Sequence, residues 1–460
     1  MLRSPLRVIV ATAALATLPA ASADGAPLWQ AVATPTTHTI TAIAAGPLDS
    51  SQALFATSAG EIFHLVPGTG FVASTVEPSN PQGFSDLALS SDGQDAVAVG
   101  RAGAIYHSSD GGVTWAAVST QEPGGSCPSP GPYVQLTDDL YSVQFADRST
   151  VYATGNNDDV LRSTDAGYSF TEINKSPTGC VVDPGGVDQG FTDSAWTDSN
   201  HGFLISSAAG QYFSTGDGLQ SAISLGTATD GTGKRAELAL DGQDASRAWA
   251  VSHGSSDGAS FRRSADAGST WESVSYDGGQ SGLRDVSSAG GTSIAVGDGG
   301  DIYTSPDGVD FYRQLAPAPN LRTSWRAVAV LDADHAYVGG TGGALVYTSH
   351  AGAPPDTVPP TGTIVGPARL APGQPATYTS RLTDDPEGSG VDPASLLWRV
   401  PGQPRQTGAG ATLTFPHAGT YLLTLEFSDL AGNYNTAYLR VTVAAGYGHR
   451  RPAHARHRRR

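Results

Sequence analysis

The chain has 460 residues, of which 57 are Gly and 30 are Pro, and only 15% are charged. So many turn formers and so few charges exclude coiled coils and long-helix bundles, while 39% apolar residues is too many for a disordered chain. The net charge of −17 understates how acidic the body is, because residues 448–460 carry six Arg and no acid; an acidic body repels polyanions, which argues against nucleic acid as a partner.

The N-terminus reads as a signal peptide over 1–23. Arg3 and Arg7 supply the positive start, and Val8 to Leu18 is an apolar run well short of the ~20 residues that span a bilayer. Ala21-Ser22-Ala23 is a small-residue cleavage site, so the mature chain is expected to begin at Asp24. An exported chain with two cysteines, Cys127 and Cys180, suggests a disulfide. Cys127 follows Asp110 by 17 residues and Cys180 follows Asp165 by 15, equivalent places in consecutive repeats.

Those repeats fill residues 24–352. The segment Gly103-Ala-Ile-Tyr-His-Ser-Ser-Asp-Gly-Gly-Val-Thr-Trp115 recurs around Ser163/Asp165, Ser264/Asp266/Trp271 and Ser305/Asp307, with Ser108/Asp110/Trp115 as the fullest copy. Gln211-Tyr-Phe-Ser-Thr-Gly-Asp-Gly218 reads as a degraded copy, with Ser214 as the repeat serine and its Asp displaced by one. Gly60–Leu65 and Gly343–Ser349 occupy the same place in a first and a last repeat without the acid, which makes seven. The repeat serines are spaced by 55, 51, 50 and 41 residues, a period that suits a four-stranded unit of a β-propeller. Within each repeat, period-2 alternation broken by Gly and Asp turns predicts strands and hairpins. In the S-x-D-x-G turn, Ser and Asp side chains can accept from turn amides and Gly tolerates positive φ, so these acids read as braces rather than catalysts. The last repeat lacks an outer strand, and Leu28-Trp-Gln-Ala-Val32 aligns with Thr114-Trp-Ala-Ala-Val118; residues 28–33 are expected to close the ring.

Residues 353–360 form a Pro-rich linker. Residues 361–445 alternate as strands over Ala376–Leu382, Leu396–Val400, Ala411–Phe415, Thr420–Phe427 and Ala437–Val443, the rhythm of a β-sandwich. Asp384, Asp385, Glu387 and Asp392 form an acidic loop that reads as solvated rather than as a Ca²⁺ site. Residues 446–460 have no packable pattern, and their arginines suit contact with an anionic cell-wall polymer or lipid.

The S-x-D-x-G-x-x-W pattern resembles the Asp-box, or BNR, repeat of sialidases, sortilin-type receptors, xyloglucanases and photosystem II assembly factors. Its third strand and turn look most like the last of these. The resemblance implies an all-β chain with a seven-bladed β-propeller. His417–Leu425 followed by Asp429-Leu-Ala-Gly-Asn433 resembles the end of PKD and bacterial Ig-like domains, although Leu397-Trp-Arg-Val-Pro401 stands where the PKD turn belongs. That implies a C-terminal Ig-like sandwich.

In such a ring, ligands meet the face where the first strands begin. Aligning the repeats places Asp86, Tyr141, Asp193, Glu237, Arg284, Trp325 and Arg326 near that rim, with Asp285 beside them. The loops between second and third strands add Arg101, Asp158, His253 and Asp298, beside Asn157 and Asp159. Mixed charge with aromatics suits a glycan or a cell-surface protein. A glycoside hydrolase needs two facing carboxylates, for which Asp86 with Glu237 or Asp193 with Asp285 are the candidates. No arginine cluster of the sialidase kind and no metal or cofactor motif is present. The expectation is an exported, monomeric bacterial binding or scaffold protein without cofactor or metal; the alternative is a carbohydrate-active hydrolase.

Overall fold

The computed structural model describes residues 28–46, 52–124, 130–176, 179–182, 190–206, 211–227, 236–240, 246–252, 261–266, 268–274, 282–316, 323–351, 356–385 and 388–444. The expected leader, Cys127, His253, Glu387 and the basic tail lie outside them. The described residues form strands, turns and two short 3₁₀ turns, Asp298–Gly300 and Thr341–Gly343. The chain divides into two compact units between Pro354 and Pro355.

Among the described residues, the first unit holds seven sheets of four or five strands, besides two small hairpins. The first six each have four strands that run from inner to outer in chain order, and the seventh takes its outer strand from the start of the chain. The second sheet, for example, is Phe84–Leu89, Ala96–Gly100, Ile105–Ser108 and Thr114–Ala117, with Thr75–Glu77 added in parallel outside. The inner strands are Ile40–Ala45, Phe84–Leu89, Leu140–Phe145, Phe191–Trp196, Ala236–Leu240, Leu283–Ala289 and Trp325–Val330. Each packs beside the next, and the last packs beside the first, so the order is cyclic. Second strands such as Ala96–Gly100 and Val151–Gly155 are buried along their whole length. Covered on both faces by neighbouring sheets, they read as the short apolar runs seen in sequence.

Closure follows the expected route. Gln30 and Ala31 pair antiparallel with Tyr347 and Val346, and the Val32 N–H donates to Leu345 O at 2.9 Å. Trp29 is fully buried in one cluster with Ile302, Trp325 and Val346, so it joins the sixth sheet to the seventh. Its Nε1 donates to Gln314 Oε1 at 2.7 Å.

The Ser-x-Asp turns are braces. Ser108 Oγ donates to Asp110 Oδ1 at 2.8 Å and accepts from the Gly112 N–H at 2.9 Å, while Asp110 accepts from the Thr114 N–H and hydroxyl. The same set recurs at Ser163/Asp165 and Ser264/Asp266. Ser305 and Asp307 make a shorter version, with Val309 N–H as a donor. The fourth repeat corrects the reading of Ser214. There Thr215 donates to Asp217 at 2.9 Å and accepts from the Leu219 N–H at 3.0 Å. The acid is therefore not displaced; a threonine stands in for the serine, and the strand Gln211–Thr215 carries it to the same place.

The second unit contains a three-stranded sheet of Thr361–Val365, Pro375–Thr383 and Gly410–Thr414, and a five-stranded sheet built on the long pair Gly419–Ser428 and Tyr434–Val443. Both contribute to one core that includes Tyr378, Trp398, Phe415, Leu425 and Val441. In the Asp429-Leu-Ala-Gly-Asn433 stretch, Asp429 accepts from the Asn433 N–H and amide, and Asn433 donates to Asp356 O at 2.9 Å. Asp392 of the acidic loop caps a turn through the Ala394 N–H.

Candidate functional site

The inner strands share a defect that builds the central cavity. In six of them one extra residue interrupts the pairing with the second strand: Thr41, Ser85, Tyr141, Thr192, Arg284 and Arg326. The residue before it, Ile40, Phe84, Leu140, Phe191, Leu283 or Trp325, is buried. Opposite this buried residue stands a glycine in four sheets, Gly100, Gly155, Gly297 and Gly340. A Cβ there would lie 2.3–2.4 Å from a carbonyl oxygen, too close for any other residue. Bulges of this kind re-aim side chains and are common beside functional sites.

The bulges surround a cavity of about 880 Å³, lined by Asp86, Arg101, Tyr141, Asp193, Arg284 and Arg326 together with Asp285. Seven of the sequence-selected residues therefore meet in one place. The acids there have a structural task. Asp86 accepts from its neighbour Leu87 N–H at 2.8 Å and from Val143 N–H of the next sheet at 2.7 Å. Asp285 repeats this with Val286 and Val328 at 2.8 and 2.7 Å. Asp193 accepts from the Ser194 N–H at 2.8 Å. Asp86 and Asp285, each one residue after a bulge, therefore tie neighbouring inner strands together.

The cations form a second group. Arg284 makes a two-point contact with Asp298, 2.7 Å from Nη2 and 3.3 Å from Nε, and Arg326 Nη2 lies 3.7 Å from the same carboxylate. Burial raises the Asp298 carboxyl, but hydrogen bonds from Arg284 and Ser324 and the charge of both arginines outweigh it and hold the group below its ordinary range. Burial, then the like charge of Arg284, lowers Arg326, against the pull of Asp298. One carboxylate thus positions two guanidinium groups at the cavity.

Other selected residues lie elsewhere. Trp325 is fully buried in the seventh sheet rather than on the rim, because it occupies the place before the bulge. Asp158 and Asp159 are fully buried beside Lys175 and its neighbours. Glu237 is on the inner strand Ala236–Leu240, which pairs without a bulge. Sequence reasoning missed Gln144, which bridges to the fourth sheet by accepting from the Trp196 N–H at 2.7 Å. The recurring triplet of a buried apolar residue, a bulged residue and Asp, as in Phe84-Ser-Asp86 and Leu283-Arg-Asp285, marks the bulges in sequence but does not reach Gln144, which lies two residues past Leu140-Tyr-Ser142.

No protein-family model and no curated protein matches the chain. Solved structures do. YCF48 from Cyanidioschyzon merolae is similar over 70% of this chain and 98% of its own, with a TM-score of 0.52 and 16% identity. YCF48 bound to D1 peptide is similar over 70% and 97%, with a TM-score of 0.50 and 15% identity. The GH74 xyloglucanase from Xanthomonas campestris is similar over 92% and 82%, with a TM-score of 0.51 and 13% identity. The shared fold is a β-propeller. At these identities the likeness concerns the fold alone, since propellers serve unrelated functions. The cavity described above is the space enclosed by the propeller's inner strands.

Proposed function

We propose that this is an exported binding or scaffold protein whose seven sheets are the blades of one propeller, and that the mouth of its central cavity takes a segment of a protein partner. The observation that carries this reading is the engagement of the cavity carboxylates. Asp86 and Asp285 each accept one backbone N–H of their own strand and one of the next blade, so neither is placed as a proton donor or nucleophile. Tyr141, Arg284 and Arg326, the bulged residues that line the cavity, are the groups that meet a ligand. Guanidinium groups fixed by one acid suit peptide carbonyls and carboxylates. A propeller bound to a peptide, YCF48 with D1 peptide, lends this mode plausibility. The C-terminal unit serves as an Ig-like spacer, and the basic tail associates with an anionic surface.

A peptide-display library panned on the whole chain tests it. Enriched peptides should lose at least ~10-fold in affinity, the weight of one charge-assisted contact, on the double change R284A/R326A. The competing reading is a glycoside hydrolase, favoured by the GH74 likeness. Release of reducing sugar from xyloglucan or other β-glucans, abolished by Asp86→Asn, would replace the binding reading.

A further inference from the structure

Outside the cavity, five ionisable side chains are gathered where the loops after the second and third sheets meet. Glu122 comes from the strand Gln121–Pro123, Asp138 from the segment entering the third sheet, Asp159 from its second turn, Glu172 from its outer strand and Lys175 from the hairpin that follows. Glu122, Asp159 and Lys175 are at most 2% exposed and Glu172 is 7% exposed. The Lys175 ammonium contacts both Glu122 and Asp159. Glu172 accepts the backbone N–H groups of Val160, Asn174 and Lys175. Asp158, in the same turn as Asp159, is also fully buried.

The charge count does not close. Four carboxylates face one ammonium, and burying unpaired charge is far costlier than losing a proton. One carboxylate oxygen from each of Glu122, Asp138 and Asp159 lies within 4.8 Å of the other two. Ionised carboxylates only accept hydrogen bonds and repel one another, so a buried group this close is stabilised when one member carries a proton.

We propose that this cluster is a proton-loaded latch: it retains at least one proton at neutral pH, clamps the strand pairs Gln121–Pro123 with Tyr133–Gln135 and Lys175–Ser176 with Gly179–Cys180 onto the third sheet, and releases them when that proton is lost in alkaline solution. The latch borders the binding mouth. Asp138 O accepts from the Gly103 N–H, and Asp139 accepts from Ala102 N–H, so the segment leading to Tyr141 and the loop carrying Arg101 are tied to it. The inference does not depend on what the mouth binds.

The direction follows from the shifts. Burial, with the neighbouring acids, raises Asp138 and Asp159, and burial pushes Glu172 up to about 8 against the pull of Lys175 and the backbone donors. Groups raised above their unfolded values stabilise the folded form below the ordinary carboxyl range of about 4 and lose that contribution as pH rises through the folded value. Lys175 is raised as well and stays charged throughout.

Amide hydrogen exchange of the full chain, corrected for intrinsic rates, reads the latch directly. Protection at 121–124, 133–136 and 172–176 should fall at least roughly tenfold, the equivalent of one pKa unit, between pH 6 and pH 9. The inner parts of the sixth sheet, such as 293–296, should not change. Asp159→Asn imitates the protonated acid, so it should keep the pH 6 protection and abolish the fall. Glu122→Gln, which removes a charge from the same group of carboxylates, serves the same purpose if Asp159→Asn does not fold. A flat wild-type profile, or an equal fall in both neutral variants, overturns the proposal. So does protection at pH 9 restored by 1 mM Ca²⁺, an approximate working concentration for a carboxylate site, which would make the cluster a cation site instead.

Discussion

Replacing Trp29 by Ala should open the ring at its seam. The indole is fully buried, and its one hydrogen bond ends on Gln314, itself 5% exposed. An indole covers roughly 200 Å², worth about 5 kcal/mol at ~25 cal/mol/Å². That matches the 3–5 kcal/mol typical of a buried Trp→Ala change. The truncation also leaves Gln314 Oε1 without its donor, which adds about 1 kcal/mol. The expected loss is therefore about 4–6 kcal/mol. It falls on the first unit alone, since Trp29 packs against Ile302, Trp325 and Val346. At ~2–4 °C per kcal/mol for large domains, the first unit's melting temperature should drop by about 10 °C or more. Trp29→Phe separates the two terms: it keeps most of the apolar surface and should cost about 1–3 kcal/mol. Differential scanning calorimetry or urea titration resolves the two units, because each has its own core. A Trp29→Ala chain within 1 kcal/mol of the parent, about the size of a surface change, would refute the closure argument.

Two further outcomes are expected. In the fourth sheet Thr215→Val should cost about 1 kcal/mol in urea titration, by removing the partner of Leu219 N–H and Asp217, whereas Ser214→Ala should be near neutral; the reverse order would restore Ser214 as the brace. Ellman titration of denatured, unreduced protein should find no free thiol, as a Cys127–Cys180 bond closing 53 residues stabilises by about 4 kcal/mol in the chain-entropy model, and two thiols per chain would remove the bond.

Much of this molecule is local, and the local part was legible. Ser108, Asp110 and Gly112 brace a turn within five residues, so the motif announces itself in sequence wherever it recurs. Trp29 was found because it copies Trp115 and Trp271, even though its partner strand is more than 300 residues away. The Thr215 brace was misread because the search was for serine, while the turn needs only a hydroxyl on the correct side of the strand.

What only the tertiary structure decided is set by register and by charge brought together from a distance. A single extra residue in six of the seven inner strands reverses the alternation, which in the last of them sends Trp325 into the core and Arg326 to the cavity. No property of Trp325-Arg326 by itself fixes which one points inward. The acids selected for chemistry, Asp86 and Asp285, find their partners in the N–H groups of the next sheet, 57 and 43 residues away. Glu122, Asp159 and Lys175 look like ordinary loop residues along the chain. They become a buried cluster because folding removes the water that would otherwise screen them, and the sequence holds no record of where that water is excluded.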